Sequence, residues 1–248
     1  MVEFQAGLLG WPVSHSLSPL IHSIFLRYFR IEGTYELFPV EHGELPVLLA
    51  RLGRRRFTGL NVTVPHKMSA MMICDSLSVE AESAGAVNTL VFEPGDLRGY
   101  NTDIAGFKMM IRDLPRPFYV LGTGGAAGAI SAALKVSDVV FIPRGGGISK
   151  ANRPAMATVV NATPLGWDDE DIFPFPVPSG WSFADLNYNP HWRWRNSLQS
   201  HVITGEKMLV EQAAESFRLW TGHTPGEKLK NRVLERIREK LNEDKNNQ

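Results

Sequence analysis

Phe118-Tyr119-Val120-Leu121-Gly122-Thr123-Gly124-Gly125-Ala126-Ala127-Gly128 decides the fold. Four strand-forming residues run into a glycine loop, and an Ala-rich helical stretch follows to about Leu134. In Gly122-x-Gly124-x-x-Ala127, placed between a strand and a helix, small residues let backbone amides approach a pyrophosphate. The helix N-terminus adds a partial positive charge. A tight strand–helix turn also selects glycine, so the motif takes its meaning from its flanks.

Working outward, Val139–Ile142, Ala157–Val160, Ser182–Leu186 and His201–Ile203 read as further strands. Strands alternating with helices imply a parallel sheet covered on its faces. An NAD site usually carries Asp or Glu about 20 residues beyond the glycines, where it holds the ribose 2′-hydroxyl. No acid lies between Val139 and Lys150, but Arg144 does, in Ile142-Pro143-Arg144-Gly145-Gly146-Gly147. A guanidinium suits a 2′-phosphate, which predicts NADP. The competing reading of Arg144 is a solvated loop arginine.

Upstream, Ala6–Gly10, Thr34–Val40, Leu60–Val64, Ala86–Phe92 and Leu97–Tyr100 read as strands, the last two joined through Pro94-Gly95-Asp96. Ser18-Pro19 reads as an N-cap and a first-turn proline, with Ile21, Ile24, Phe25 and Tyr28 on one helical face. Glu44–Leu52 and the residues from Lys67 predict helices, as do Ile104, Phe107 and Ile111. Downstream, Leu209, Ala213, Phe217 and Trp220 mark one C-terminal helix, and Leu229, Val233, Ile237 and Leu241 a second. The predicted fold is α/β with two domains: residues 1–101 with 205–248 around a mixed sheet, and a Rossmann-like domain at 102–204.

The first half carries polar residues on apolar strands. Extended backbone at Ser14-His15-Ser16 would put both hydroxyls on one side. Asn61 and Thr63 share a face opposite Val62 and Val64; Lys67 follows, and Asn88 opens a strand. Asp103 starts a helix, where the macrodipole favours a carboxylate. Such hydroxyls and amides suit a small polyhydroxylated ligand, and Lys67 with Asp103 suits proton transfer. Taken singly, each has a structural alternative: serines cap, Asn turns, Lys solvates.

Composition narrows the partners. The chain has 248 residues, Lys+Arg 26 against Asp+Glu 26, and therefore no basic excess for nucleic acid. The lone Cys74 excludes an internal disulfide and any multi-cysteine metal site. No apolar run reaches the ~18–20 residues of a membrane span. The start, Met1-Val2-Glu3-Phe4-Gln5, is unlike a secretory signal. The seven histidines show no ligand spacing, so no metal is expected. Arg54-Arg55-Arg56 reads as a solvated turn, and Trp192 and Trp194 as a packed or partner-facing patch. A cytoplasmic protein, monomer or homodimer, is the expectation.

The chain resembles the shikimate dehydrogenase family. The resemblance rests on Gly10-Trp11-Pro12-Val13-Ser14-His15-Ser16-Leu17-Ser18-Pro19, Gly59-Leu60-Asn61-Val62-Thr63-Val64-Pro65-His66-Lys67 and Ala84-Gly85-Ala86-Val87-Asn88-Thr89. It continues through Gly99–Phe107, the glycine loop, Asn161–Gly166, Asp185–Pro190 and Gly205–Gln212, in family order. It implies NADPH-dependent, reversible reduction of 3-dehydroshikimate to shikimate. By the same resemblance Ser14 and Ser16 hold the substrate carboxylate near Tyr188, and Asn61, Thr63, Asn88, Asp103 and Gln212 meet the ring substituents. Lys67 and Asp103 match the catalytic pair. Gly122, Thr123, Gly124, Gly125, Ala126, Ala127, Arg144, Asn161, Ala162, Thr163, Leu186 and Gly205 match the cofactor side. Two departures stand out: Pro143-Arg144-Gly145 replaces the family's Asn-Arg-Thr, and the stretch from Arg144 to Asn161 is short for a connection through helix and strand. Rival readings are an NAD-dependent quinate/shikimate dehydrogenase and a nucleotide-binding sensor without catalysis.

Overall fold

The strand–helix alternation resolves into two sheets. The computed structural model describes residues 4–41, 43–53, 57–122, 124, 126–143, 145–149, 153–166, 171–188 and 198–246. The expectations for Arg54–Arg56, Thr123, Gly125, Arg144, Trp192 and Trp194 fall outside those residues.

The first sheet holds β1 (Phe4–Gly10), β2 (Gly33–Pro39), β3 (Gly59–Val62), β4 (Ser76–Leu77), β5 (Thr89–Glu93) and β6 (Asp96–Tyr100). Their order is β2-β1-β3-β5-β6-β4. β1 runs parallel to β2 and β3, whereas β5 is antiparallel to both β3 and β6. The helices of this half are α1 (Ser18–Phe29), α2 (Leu45–Gly53), α3 (Lys67–Ile73) and α4 (Val79–Ala84). The second sheet holds β7 (Phe118–Leu121), β8 (Val139–Ile142), β9 (Thr158–Asn161), β10 (Ser182–Asp185) and β11 (Val202–Thr204). Its order is β11-β10-β9-β7-β8, with every pair parallel. With it come α5 (Asp103–Ile111) and α6 (Ala127–Ala133), and the chain closes in α7 (Glu206–Thr221) and α8 (Glu227–Asn246).

Local chemistry moves some boundaries. Ser18 is not the N-cap of α1; it is the first helical residue, after Leu17. The oxygen that accepts its amide hydrogen is Ser16 Oγ, at 3.2 Å. β3 stops at Val62, ahead of the proline that has no amide hydrogen. Asn88 stands just before β5, its backbone still bonded to Tyr100 and Val62 of the neighbouring strands and its side chain at the site.

Apolar packing covers both faces of each sheet. On one face of the first, Phe4 and Ala6 meet Ile21 and Phe25 of α1, Ala213 and Phe217 of α7, and Val233 and Ile237 of α8. On the other, Leu9, Leu60 and Leu90 meet Leu48, Leu49 and Leu52 of α2. One face of the second sheet buries Phe118, Val120 and Val160 under Phe107, Met110 and Ile130. The opposite face has no helix among the described residues. Phe173, Phe175, Val177 and Trp181 cover it instead, with Ile148. No strand occurs among the described residues between Ile142 and Thr158, so β8 forms the sheet's edge. Val140 there is 46% exposed.

Two glycines set how closely the halves approach. A Cβ on Gly106 of α5 would lie 2.7 Å from Met208 O of α7. A Cβ on Gly128 of α6 would lie 2.0 Å from Ala84 O at the end of α4. Only a residue without a side chain fits at such distances.

Candidate active site

In both sheets the first strand lies between the next two: β1 between β2 and β3, β7 between β8 and β9. Open α/β sheets bind ligands outside the carboxyl ends of their strands at such switch points. A cavity lies at each, of about 510 Å³ at the first sheet and about 620 Å³ at the second, and Pro164 lines both.

Lys67 and Asp103, separated by 36 positions, open α3 and α5 and meet in the first cavity. Lys67 Nζ lies 2.5 Å from Asp103 Oδ2, with the two side chains 17% and 11% exposed. The second carboxylate oxygen, Oδ1, accepts from Asn88 Nδ2 at 2.8 Å. Asn88 Oδ1 accepts from the Thr102 amide at 2.7 Å, which fixes which way its own amide faces. Asn61, Thr63 and Gln212 line the same cavity. Asn61 Oδ1 accepts from the Tyr35 hydroxyl at 2.7 Å, and Gln212 Nε2 donates to Leu209 O at 3.0 Å. Tyr188 stands in the wall; burial, and then the nearby Glu206 carboxylate, raises its phenol above the ordinary range. His66, next to Lys67, is buried with Nε2 2.7 Å from Val40 O, a structural contact.

The paired-serine expectation needs correcting. The backbone at Ser14-His15-Ser16 is a turn, not extended, and Ser16 N donates to Val13 O at 3.0 Å. Side chains two apart no longer share a face there. Ser16 and His15 line the cavity, while Ser14 is exposed outside its wall. Ser18, expected only to cap, lines it as well.

The second cavity collects Gly122, Gly124, Ala162 and Thr163 at the ends of β7 and β9, with Gly145 from beyond β8. Gly122 has φ +106°, and a Cβ there would press on Thr163 Cγ2 at 2.7 Å; Gly124 has open space where a Cβ would go. That is a cradle for a bulky polar ligand, and a pyrophosphate fits it. Ala126 and Ala127, at the start of α6, stand beside the cavity without lining it. Asn161 is fully buried and turned inward. Its Oδ1 accepts from Thr163 N and Oγ1, and its Nδ2 donates to Leu165 O and Asp185 Oδ1. It therefore shapes the loop from which Ala162 and Thr163 face the cavity. Leu186 and Gly205, expected on the cofactor side, line the first cavity beside Tyr188.

Three buried hydroxyls behind the first cavity fall outside the set expected from sequence: Thr89, Thr102 and Ser216. Thr102 lies within the Asn-Thr-Asp stretch that carries the resemblance. For Ser216 the one signal is a small polar residue four positions after Gln212, beside an apolar stripe. Among the described residues no three metal-ligating side chains converge, and no helix is long and apolar enough to cross a membrane.

A parallel sheet with a glycine cradle at its switch point, adjoining a polar pocket that holds an amine against a carboxylate, has the build of a nicotinamide-dependent oxidoreductase. Residues 8–90 match the family model of the shikimate dehydrogenase substrate-binding domain, and residues 205–229 that of the shikimate 5′-dehydrogenase C-terminal domain. A shikimate dehydrogenase (NADP(+)) of Thermus thermophilus is 36% identical over 88% of this chain and 93% of its own. The chain belongs to the shikimate dehydrogenase family. The Acidiphilium cryptum enzyme of the same name is 34% identical over 89% of this chain and 91% of its own. Among solved structures, a Thermus thermophilus shikimate 5-dehydrogenase in complex with NADP(H) and shikimate superposes with TM-score 0.83 at 34% identity, covering 94% of this chain and 99% of its own. A chorismate mutase/shikimate 5-dehydrogenase fusion protein from Clostridium acetobutylicum gives 0.86 at 29% identity, over 98% and 100%.

Proposed function

We propose that the protein catalyses the reversible, NADPH-dependent reduction of 3-dehydroshikimate to shikimate, a step of aromatic amino-acid biosynthesis. The observation that carries this is the 2.5 Å contact between Lys67 and Asp103 in a cavity that shares a wall with the glycine crevice. The relatives' names support the substrate and cofactor.

NADPH, when bound, supplies the hydride that reduces the ring carbonyl. The crevice of Gly122, Gly124, Ala162 and Thr163 holds its pyrophosphate, with Asn161 keeping that loop in shape. Arg144 would take the 2′-phosphate, and Thr123, Gly125, Ala126 and Ala127 belong to the same cofactor-binding motif. The remaining chemistry belongs to side chains of this chain. The Lys67 ammonium gives its proton to the carbonyl oxygen as negative charge grows there, and takes one back in the reverse direction. Asp103 keeps Lys67 aimed and is itself held by Asn88. Asn61, Thr63, Asn88 and Gln212 bind the ring substituents. Ser16, with Ser14 at the rim and Tyr188 opposite, binds the substrate carboxylate, and Leu186 and Gly205 close the side towards the nicotinamide. Residues 1–101 with 205–248 form the substrate domain and 102–204 the nucleotide domain. The same reading makes it a cytoplasmic enzyme that acts as a monomer or homodimer on a small molecule.

Steady-state assays with shikimate or quinate and NADP(+) or NAD(+), read by nicotinamide absorbance, test this. Turnover is expected on shikimate with NADP(+), and Arg144→Ala should lower the preference for NADP(+) over NAD(+). No turnover on shikimate sinks the proposal, quinate with NAD(+) as the better pair redirects it, and an unchanged cofactor ratio removes Arg144 from it.

A further inference from the structure

Behind the wall of the first cavity, Ser216 of α7, Thr89 of β5 and Thr102 ahead of α5 bring their hydroxyls together, shut off from solvent. Ser216 Oγ lies 2.9 Å from Thr89 Oγ1 and 3.2 Å from Thr102 Oγ1, and the two threonine oxygens are 3.2 Å apart. None of the three lines the cavity. Each, however, touches a residue that does. Asn61 Nδ2 donates to Ser216 Oγ at 2.9 Å and to Thr89 Oγ1 at 3.1 Å. Thr102 contacts Asn88 through its amide and Gln212 Oε1 through its hydroxyl.

The proton count gives Ser216 its place. A hydroxyl has one proton and two lone pairs. Gln212 O, one turn back along α7 at 3.0 Å, is a carbonyl that can only accept, so towards it Ser216 is the donor, while the Thr89 and Thr102 hydroxyls can each donate to Ser216 Oγ. With its proton on Gln212 O, Ser216 turns lone pairs towards Asn61, which presents its NH2 there and, at 3.3 Å, to the Asn88 carbonyl. The other end of Asn61, Oδ1, is taken by the Tyr35 hydroxyl. A flipped Asn61 would set its carbonyl oxygen against the spent Ser216 oxygen, two acceptors face to face in a buried place. Ser216 also ties the turn that carries Gln212 to β3 and β5.

We propose that Ser216 is a positioning residue for substrate recognition: it holds the Asn61 amide in one orientation and joins it to the Gln212 turn, without touching substrate itself. This rests on the proposed reading that the first cavity binds shikimate. Fixing a binding group should act on ground state and transition state alike, so it shows in KM and not in kcat.

The test is steady-state kinetics on the full-length wild type, Ser216→Ala, Thr89→Val, Asn61→Ala and the pair Asn61→Ala/Ser216→Ala, with melting curves confirming the fold of each. Ser216→Ala should raise KM for shikimate roughly three- to tenfold, the size of one neutral hydrogen bond. Its kcat should stay within about twofold and its KM for NADP(+) should not move. Thr89→Val removes the neighbouring acceptor and should shift the shikimate KM in the same direction, which carries the test if Ser216→Ala does not fold. With Asn61 already replaced, adding Ser216→Ala should change nothing further. An unchanged shikimate KM, additive effects in the double variant, or both KM values rising together with a fall in kcat would overturn the proposal, the last marking a merely structural residue. A wild type without turnover on shikimate overturns the functional reading itself, and this proposal with it.

Discussion

Lys67 opens a helix that begins two residues after a proline, and Asp103 opens another, so the start of a helix sets where each side chain leaves the backbone. That anchoring is why the pair can act as one unit. Removing the amine removes the proton donor while the substrate's other contacts remain. Lys67→Ala is therefore expected to lower kcat by about 10²–10⁴-fold, with a smaller change in KM. Near-wild-type turnover would end the acid–base assignment. A second residue works on stability. His22 of α1 is fully buried against Phe25, Tyr35, Phe217 and Trp220, its ring stacked on Tyr35 at 4.2 Å. Among the described residues neither ring nitrogen makes a hydrogen bond of good geometry, although the Asn61 side chain lies close enough to pull on the ring. Burial lowers its pKa from 6.5 to about 3, against a weaker opposing pull from the Asn61 side chain. Between those values the unfolded chain binds a proton that the native state refuses. Stability is thus intact above pH 6.5 and falls as pH drops towards 3, by up to about 1.4 kcal/mol per pH unit. Melting temperatures of wild type and His22→Phe across that window check this. The variant should show the flatter acid limb, and superimposable limbs would remove His22 from the account.

At the scale of elements, α6 shows what close approach demands. Its Gly128 packs on the carbonyl that ends α4, and a Cβ would stand 2.0 Å from that backbone oxygen. Backbone cannot yield as a flexible side chain can. Gly128→Ala should destabilise the fold by about 1–3 kcal/mol and tilt the helix that follows the glycine loop, raising KM for NADP(+) more than for shikimate. Equal kinetics and an unchanged melting curve would mean the helix shifts freely. The elements that carry the site are legible where period and punctuation agree. Leu60–Val64 alternates and ends at proline, which places Asn61 and Thr63 together; the glycine loop between an apolar run and an Ala-rich run places the crevice. Legibility fails where an element is short or irregular. β4 has two residues and α4 six, too few to show a period. Ser14-His15-Ser16 holds serines that suit a turn as well as an extended strand, so alternation alone does not decide there. Ser216 is hidden for another reason: its importance lies in Asn61, which is 155 positions away and meets it only through folding.

Across the whole molecule, the two sheets have separate apolar cores, yet α5 and α7 cross between them at the contact of Gly106 with Met208 O. α7 contributes Phe217 to the first core and packs Met208 against the second. The site is divided in the same way, with Lys67 beside the first sheet and Pro164 following β9 of the second. A ligand seated on either half should therefore stabilise both if those helices transmit unfolding, because a helix shared by two cores cannot melt out of one alone. Binding to the native state adds about 2.7 kcal/mol at a ligand concentration 100 times Kd. For a chain of this size that is worth roughly 5–11 °C in melting temperature, at about 2–4 °C per kcal/mol. NADP(+) alone and shikimate alone are each expected to move one common calorimetric transition upward by that order. Two resolved transitions, with NADP(+) moving only one and shikimate only the other, would show that the halves unfold independently. The α5–α7 crossing would then be a hinge that carries no folding cooperativity.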